Sequence, residues 1–137
     1  MKRYYIDNPN FIFKDNPLNI KNPDELFSLF LTLWSKDTCA PRLKDKWNEN
    51  DPTVGQCTIT SFLIQDYFGG DVYGIKLDDG NYHCFNLIDG VIMDFACEQF
   101  HNEKLIYTLE YPQDRNIHFN KKEKYKRYLM LKEKVDI

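Results

Sequence analysis

The sequence predicts an α+β fold, with one central helix packed on an antiparallel β-sheet and flanking helices towards the amino and carboxyl ends. Three observations carry this reading. Residues 55–68 form a helical stretch stopped by Gly69-Gly70. From residue 71 the apolar period changes to two, which gives three short strands. Asp78-Asp79-Gly80 and Asp89-Gly90 separate those strands. Asp-Gly is a strong hairpin signal, because both central residues of a type I′ turn need positive φ.

In chain order, the first 20 residues alternate aromatics with Asn, Asp and Pro, and predict an extended arm with a short strand at 10–14. A helix follows. Asn22 is its N-cap, Pro23 suits the first helical position, and Asp24 and Glu25 complement the positive helix end. Leu26, Leu29, Phe30, Leu33 and Trp34 recur at helical spacing and place one apolar stripe on the core, with the end near Lys36. Residues 37–53 are polar, punctuated by Pro41 and Pro52, and read as a long loop. The central helix runs from Gly55 to about Phe68, with Thr60 and Ser61 leaving one side small enough for a sheet to approach. The strands are Val72–Leu77, Tyr82–Ile88 and Val91–Phe95. Residues 96–120 read as a helical turn with loops, and a last helix starts near Asn120.

Composition bounds the function. The 137 residues (16.4 kDa) predict a single domain over 1–137. With 42% hydrophobic and 15% aromatic residues the chain predicts a packed core without a disulfide or metal staple. No apolar run reaches the ~18–20 residues of a membrane span. The opening Met-Lys-Arg-Tyr-Tyr-Ile-Asp lacks the apolar stretch of a secretory signal. A cytoplasmic location is expected, with the thiols of Cys39, Cys57, Cys84 and Cys97 reduced. The net charge of −3 argues against nucleic acid as a partner. Residues 121–134 nevertheless hold seven Lys/Arg against two Glu. That basic helix reads first as a solvated face, and second as a dock for an acidic protein partner.

The chemistry centres on Cys57. It lies in the first turn of the central helix, where unpaired backbone N–H groups and the helix dipole favour a thiolate. Gly55 gives the backbone freedom for close approach of a ligand. In the hairpin closed by Asp89-Gly90, Ile88 faces Val91, so Asp94 faces Phe85. His83 and Asp94 then share one sheet face as diagonal neighbours, close enough for long side chains to bridge. A carboxylate within the apolar run 91–95 is costly unless paired. Paired with His83, Asp94 would fix the ring tautomer and support an imidazolium. Its rival role is a structural salt bridge to a Lys or Arg. Cys57 has the rival role of a small buried hydrophobe. Cys84, pointing the other way from His83, is expected in the core. Asn81 and Tyr82 flank the histidine as cleft candidates, and equally as turn and edge residues. His101 and His118 are expected in solvent. Cys57, His83, Cys84 and Cys97 at spacings of 26, 1 and 13 fit no zinc pattern, so neither metal nor cofactor is expected.

The order cysteine on a helix, then histidine and aspartate on successive strands, resembles papain-like and transglutaminase-like cysteine enzymes. Gly55-Gln56-Cys57 matches the Gly-Gln-Cys of transglutaminases, and Phe85 supplies an aromatic two residues after the histidine. The resemblance implies a papain/transglutaminase-like core and a Cys57-His83-Asp94 triad. It further implies a thiol-dependent hydrolase or acyltransferase acting on an amide or thioester in a small molecule or peptide. A non-catalytic binding protein of the same fold is the alternative. Thr58 stands where those enzymes carry an aromatic after the cysteine, and Gln56 is adjacent to it rather than several residues earlier. The oxyanion donor is therefore sought first in the Cys57 backbone N–H, then in Gln56 or Trp47. A second resemblance rests on CAPRLKDKW (39–47) and on the continuous run from Asp51 to Asp94. Together with Tyr-Leu-Met-Leu-Lys (128–132), these strings resemble the uncharacterised YunG-like family of small bacterial proteins, which implies no particular reaction.

Overall fold

A computed structural model describes residues 3–101 and 103–136. It has a five-stranded antiparallel sheet and four α-helices among those residues. In chain order the elements are β1 (Tyr5–Ile6), α1 (Pro23–Leu33), α2 (Cys57–Phe68), β2 (Asp71–Lys76), β3 (Tyr82–Ile88), β4 (Val91–Asp94), β5 (Tyr111–Pro112), α3 (Arg115–Phe119) and α4 (Lys122–Val135). The sheet order is β1-β4-β3-β2-β5.

The three expected strands form the sheet centre, and two edge strands extend it. The arm pairs through Tyr5 and Ile6 with Asp94 and Met93, not through residues 10–14, which form no strand. At the far edge Tyr111 and Pro112 pair with β2. Proline suits that position because an edge strand leaves one side unpaired. Pairs of two residues are too short to register as a period-two pattern, which is why the sequence does not announce them.

Local signals set the helix bounds. The Asn22 side chain accepts a hydrogen bond from the Glu25 N–H at 2.9 Å and caps α1. Leu26, Phe27, Phe30 and Trp34 are buried, and the Trp34 indole N–H donates to Thr60 Oγ1 at 2.9 Å. The central helix begins at Cys57, two residues later than predicted, because Gly55 has φ +70°. A Cβ at Gly55 would stand 2.6 Å from Cys39 Sγ and 2.8 Å from the Ala40 nitrogen. The long loop contains two 3-10 turns, Lys36–Thr38 and Pro41–Lys46.

One sheet face carries α2. The small side expected at Ser61 is where the sheet comes close: Asn86 Nδ2 donates to the Ser61 carbonyl at 2.9 Å. Ile59, Leu63, Ile64, Ile88 and Met93 complete that core with α1 and with Tyr128 and Leu131 of α4. The other face holds Phe85 and Tyr107 edge-to-face at 5.1 Å, and Tyr5 stacked on Tyr107 at 4.3 Å. The basic segment is only partly a solvated face. Arg127 is buried, pairs with Glu123 and donates to the Thr38 carbonyl at 3.0 Å. No helix among the described residues is long and apolar enough to cross a membrane.

Candidate active site

The turn chemistry places the histidine and the aspartate. Asp89 (φ +49°) and Gly90 (φ +79°) both take positive φ, as a type I′ turn requires. The ladder then pairs Ile88 with Val91, Leu87 with Ile92 and Asn86 with Met93. His83 and Asp94 are each 1% exposed, and His83 Nε2 lies 2.6 Å from Asp94 Oδ2. An ionised carboxylate only accepts, so Nε2 carries the proton and donates. Asp94 has two more donors: the Tyr107 hydroxyl to Oδ2 at 2.7 Å and the Ala96 N–H to Oδ1 at 3.0 Å. No lysine or arginine is bonded to it among the described residues, so the salt-bridge rival for Asp94 has no support. Phe100 stands edge-on to the imidazole at 4.7 Å and 82° and limits its rotation.

The second ring nitrogen, Nδ1, is buried and makes no hydrogen bond of ordinary geometry. Its electrostatic neighbour is Cys57. Burial alone would lower the His83 pKa, but the Asp94 carboxylate and then the Cys57 thiolate outweigh it and push the imidazole up to about 10. Cys57 moves the other way. The Cys84 thiol, hydrogen-bonding to the Cys57 sulfur, is the largest influence and holds its pKa well below the ordinary 9.0; burial opposes this, and the His83 imidazolium adds to it. Cys84 is held well above 9.0 by that same hydrogen bond, then by burial. Thr58 Oγ1 lies 3.7 Å from the Cys57 sulfur and 3.5 Å from that of Cys84. Cys84 is thus in the core as expected, and it also touches the site.

The Cys39 and Cys97 thiols are shifted the other way. Cys39 is fully buried and its pKa is raised by burial. Cys97 is pushed up to about 12 by burial and by Asp94. Cys57 is half-buried and opens onto a cleft of about 1310 Å³, which His83, Gly55, Asn81 and Tyr82 also line.

Gln56 and Trp47 do not line this cleft. Gln56 is fully buried; its amide donates to the Ser35 carbonyl at 3.0 Å and its oxygen accepts from Thr38 Oγ1 at 2.8 Å. The Trp47 indole donates to the Pro52 carbonyl at 3.0 Å. Both side chains are therefore occupied with holding the loop that precedes α2. Gln99 stands at the cleft instead, accepting from the Gly55 N–H at 3.3 Å.

His118 departs from expectation. It is half-buried in the cleft wall, with Nε2 on Gln113 Oε1 at 2.8 Å, and burial lowers its pKa to about 4. His101 is exposed and lies 3.3 Å from Asp51. Sequence reasoning missed Tyr107, Phe100 and Lys124 as site neighbours. Tyr107 and Phe100 come from segments without a period or motif to mark them, whereas Lys124 lies in the basic helix, which reads from sequence only as a solvated face or a dock for a partner. Among the described residues, no group of three or more His, Cys, Asp or Glu side chains is arranged to hold a metal ion.

Comparison with known proteins agrees with the second resemblance, the one carried by residues 39–47 and 51–94. No solved structure matches it. A Bacillus subtilis (strain 168) protein described as "Uncharacterized protein YunG" is 40% identical over 67 residues. That match covers 49% of this chain, and the chain spans about half (53%) of the relative's length. The family model described as "YunG protein" matches residues 22–137, from the cap of α1 through α4, and the chain accordingly belongs to the YunG family.

Proposed function

We propose that the protein is a thiol-dependent hydrolase or acyltransferase acting on an amide or thioester, with Cys57, His83 and Asp94 as its triad and a papain/transglutaminase-like core. The observation that carries this reading is His83, bound through Nε2 to Asp94 with its other nitrogen left to a cleft-lining thiol. Cys57 attacks the substrate carbonyl as a thiolate. The imidazolium then gives its Nδ1 proton to the departing amine or thiol, which leaves an acyl-thioester on Cys57. In the second half, neutral Nδ1 takes a proton from water or from an acceptor nucleophile, which releases the acyl group. Asp94 acts through His83: it holds Nε2–H and stabilises the imidazolium. Backbone N–H groups at the start of α2 face the oxyanion, since a first-turn N–H has no partner within its helix.

The test is capture of the acyl-enzyme. Incubation with a p-nitrophenyl ester or an acyl thioester should add the acyl mass to the Cys57 peptide, and a C57A variant should gain none. His83→Ala should slow acylation by about 10²–10⁴-fold, the usual worth of a positioned acid–base group. Acylation that is unaltered in H83A, or that falls on Cys39 or Cys97, would remove the basis for the reading.

A further inference from the structure

The cleft contains more charge than the triad uses. Of its five carboxylates, Glu110 is exposed to solvent and the other four are already engaged. Glu123 pairs with Arg127, Asp79 lies 3.6 Å from Arg42, and Asp51 lies 3.3 Å from His101. Asp114 accepts from the Asn116 N–H at 2.8 Å as the cap of α3.

Lys124 is different. It is half-buried in the same wall and forms no ion pair with a carboxylate among the described residues. Its ammonium is fixed on His118 Nδ1 at 2.9 Å. That nitrogen is a neutral acceptor for a structural reason. The Gln113 amide donates to the Tyr111 carbonyl at 3.1 Å, which turns Gln113 Oε1 towards His118 and makes His118 Nε2 the donor. The relay Tyr111–Gln113–His118–Lys124 therefore aims a cation into the cleft without neutralising it. A half-buried charge left unpaired is costly in a stable fold unless something else meets it. Burial, then Lys121, lowers the Lys124 pKa, while anionic sulfur at the Cys84–Cys57 pair favours its charged form. The ammonium is thus within electrostatic reach of the nucleophile.

We infer that Lys124, held by His118 and Gln113, is an anion-binding subsite of the Cys57 cleft, and that the acyl substrate carries an anionic oxygen group, a carboxylate or a phosphate. The inference rests on the proposed thiol chemistry for its substrate, while the subsite itself stands on the cleft geometry. Lys124 would bind and orient that group, leaving bond-making to Cys57.

Two measurements test it. In the first, succinate and inorganic phosphate are titrated against the His118 ring resonances of the full chain. Saturable shifts that vanish in K124M and persist in K124R support the subsite, and the tighter of the two anions identifies the substrate group. No saturable shift with either anion overturns it. In the second, Cys57 is alkylated with iodoacetate (anionic) and iodoacetamide (neutral). The rate ratio of the two reagents should fall about fivefold in K124M and recover in K124R. An unchanged ratio in K124M overturns the placement of the cation beside the thiol. Inertness of Cys57 to both reagents would instead contradict the thiol chemistry, and the anion titration then decides the subsite alone.

Discussion

At His83, each bond fixes the next. Asp94 already accepts from Tyr107 and Ala96, so its carboxylate is held still and Nε2–H has one place to go. Nδ1 is therefore the nitrogen left unbonded, and in the proposed mechanism it is the one that exchanges a proton with Cys57. An asparagine at 94 keeps the shape but loses the charge that most raises the His83 pKa. In D94N the imidazolium should be lost at lower pH, the Cys57 thiolate should lose support, and the alkylation profile of Cys57 should move to higher pH. A stopped-flow pH series on both proteins checks this. Cys84→Ala removes the largest influence lowering the Cys57 pKa, so that profile should also move upwards, with little change in the His83 titration followed by NMR. The His83–Asp94 pairing was legible from sequence because the Asp-Gly turn fixes the register, and register decides which side chains share a face. The Cys84 contact was not, because alternation along β3 assigns it to the core and says nothing of which helix residue lies above it.

Among the elements, the start of α2 matters most. Gly55 adopts a backbone that L side chains rarely take, and Cys39 Sγ and the Ala40 nitrogen fill the space beside it. Gly55→Ala should therefore cost about 1–3 kcal/mol from backbone strain alone, seen as a lower urea midpoint. It should also slow Cys57 alkylation, since any relief of the overlap moves the helix start. Asn22→Ala removes the α1 cap and should cost about 1 kcal/mol without altering Cys57 reactivity, which separates fold from site. The cap, the central helix and the three inner strands carry periods or turn residues that sequence reasoning can read. The edge strands and α3 do not. Tyr5–Ile6 and Tyr111–Pro112 are strands only because β4 and β2 lie beside them, and five residues of helix hold too little periodicity to register. Gln56 illustrates the same limit. Its motif position fits a cleft residue, yet burial between Ser35 and Thr38 directs the amide inwards.

For the whole molecule, the ion pair has a consequence for stability. His83 alone, with its pKa raised to about 10, would contribute stability below about 6.5 that is lost as pH rises through 10. Cys57 alone, with its pKa depressed, would contribute stability above 9.0 that is lost as pH falls through its folded value. Between about 6.5 and 9 the folded pair holds one proton as imidazolium, and the unfolded chain holds one as thiol. Proton counts match, so the pair adds no pH slope there. C57A leaves His83 uncompensated. Relative to wild type, C57A should lose stability as pH rises through this window, by at most about 1.4 kcal/mol per pH unit, measured as the difference in urea midpoints. A flat difference would mean that His83 is not cationic in folded C57A, and so that Asp94 alone does not hold the imidazolium.

The most direct test of the central claim is the pH dependence of iodoacetamide alkylation at each of the four cysteines, read peptide by peptide by mass spectrometry on the native protein. The account predicts that Cys57 reacts first and with a midpoint well below the ordinary thiol value of 9.0, while Cys39, Cys84 and Cys97 stay slow until unfolding. A Cys57 that titrates at 9.0 or above, or that reacts no faster than Cys39, would contradict it.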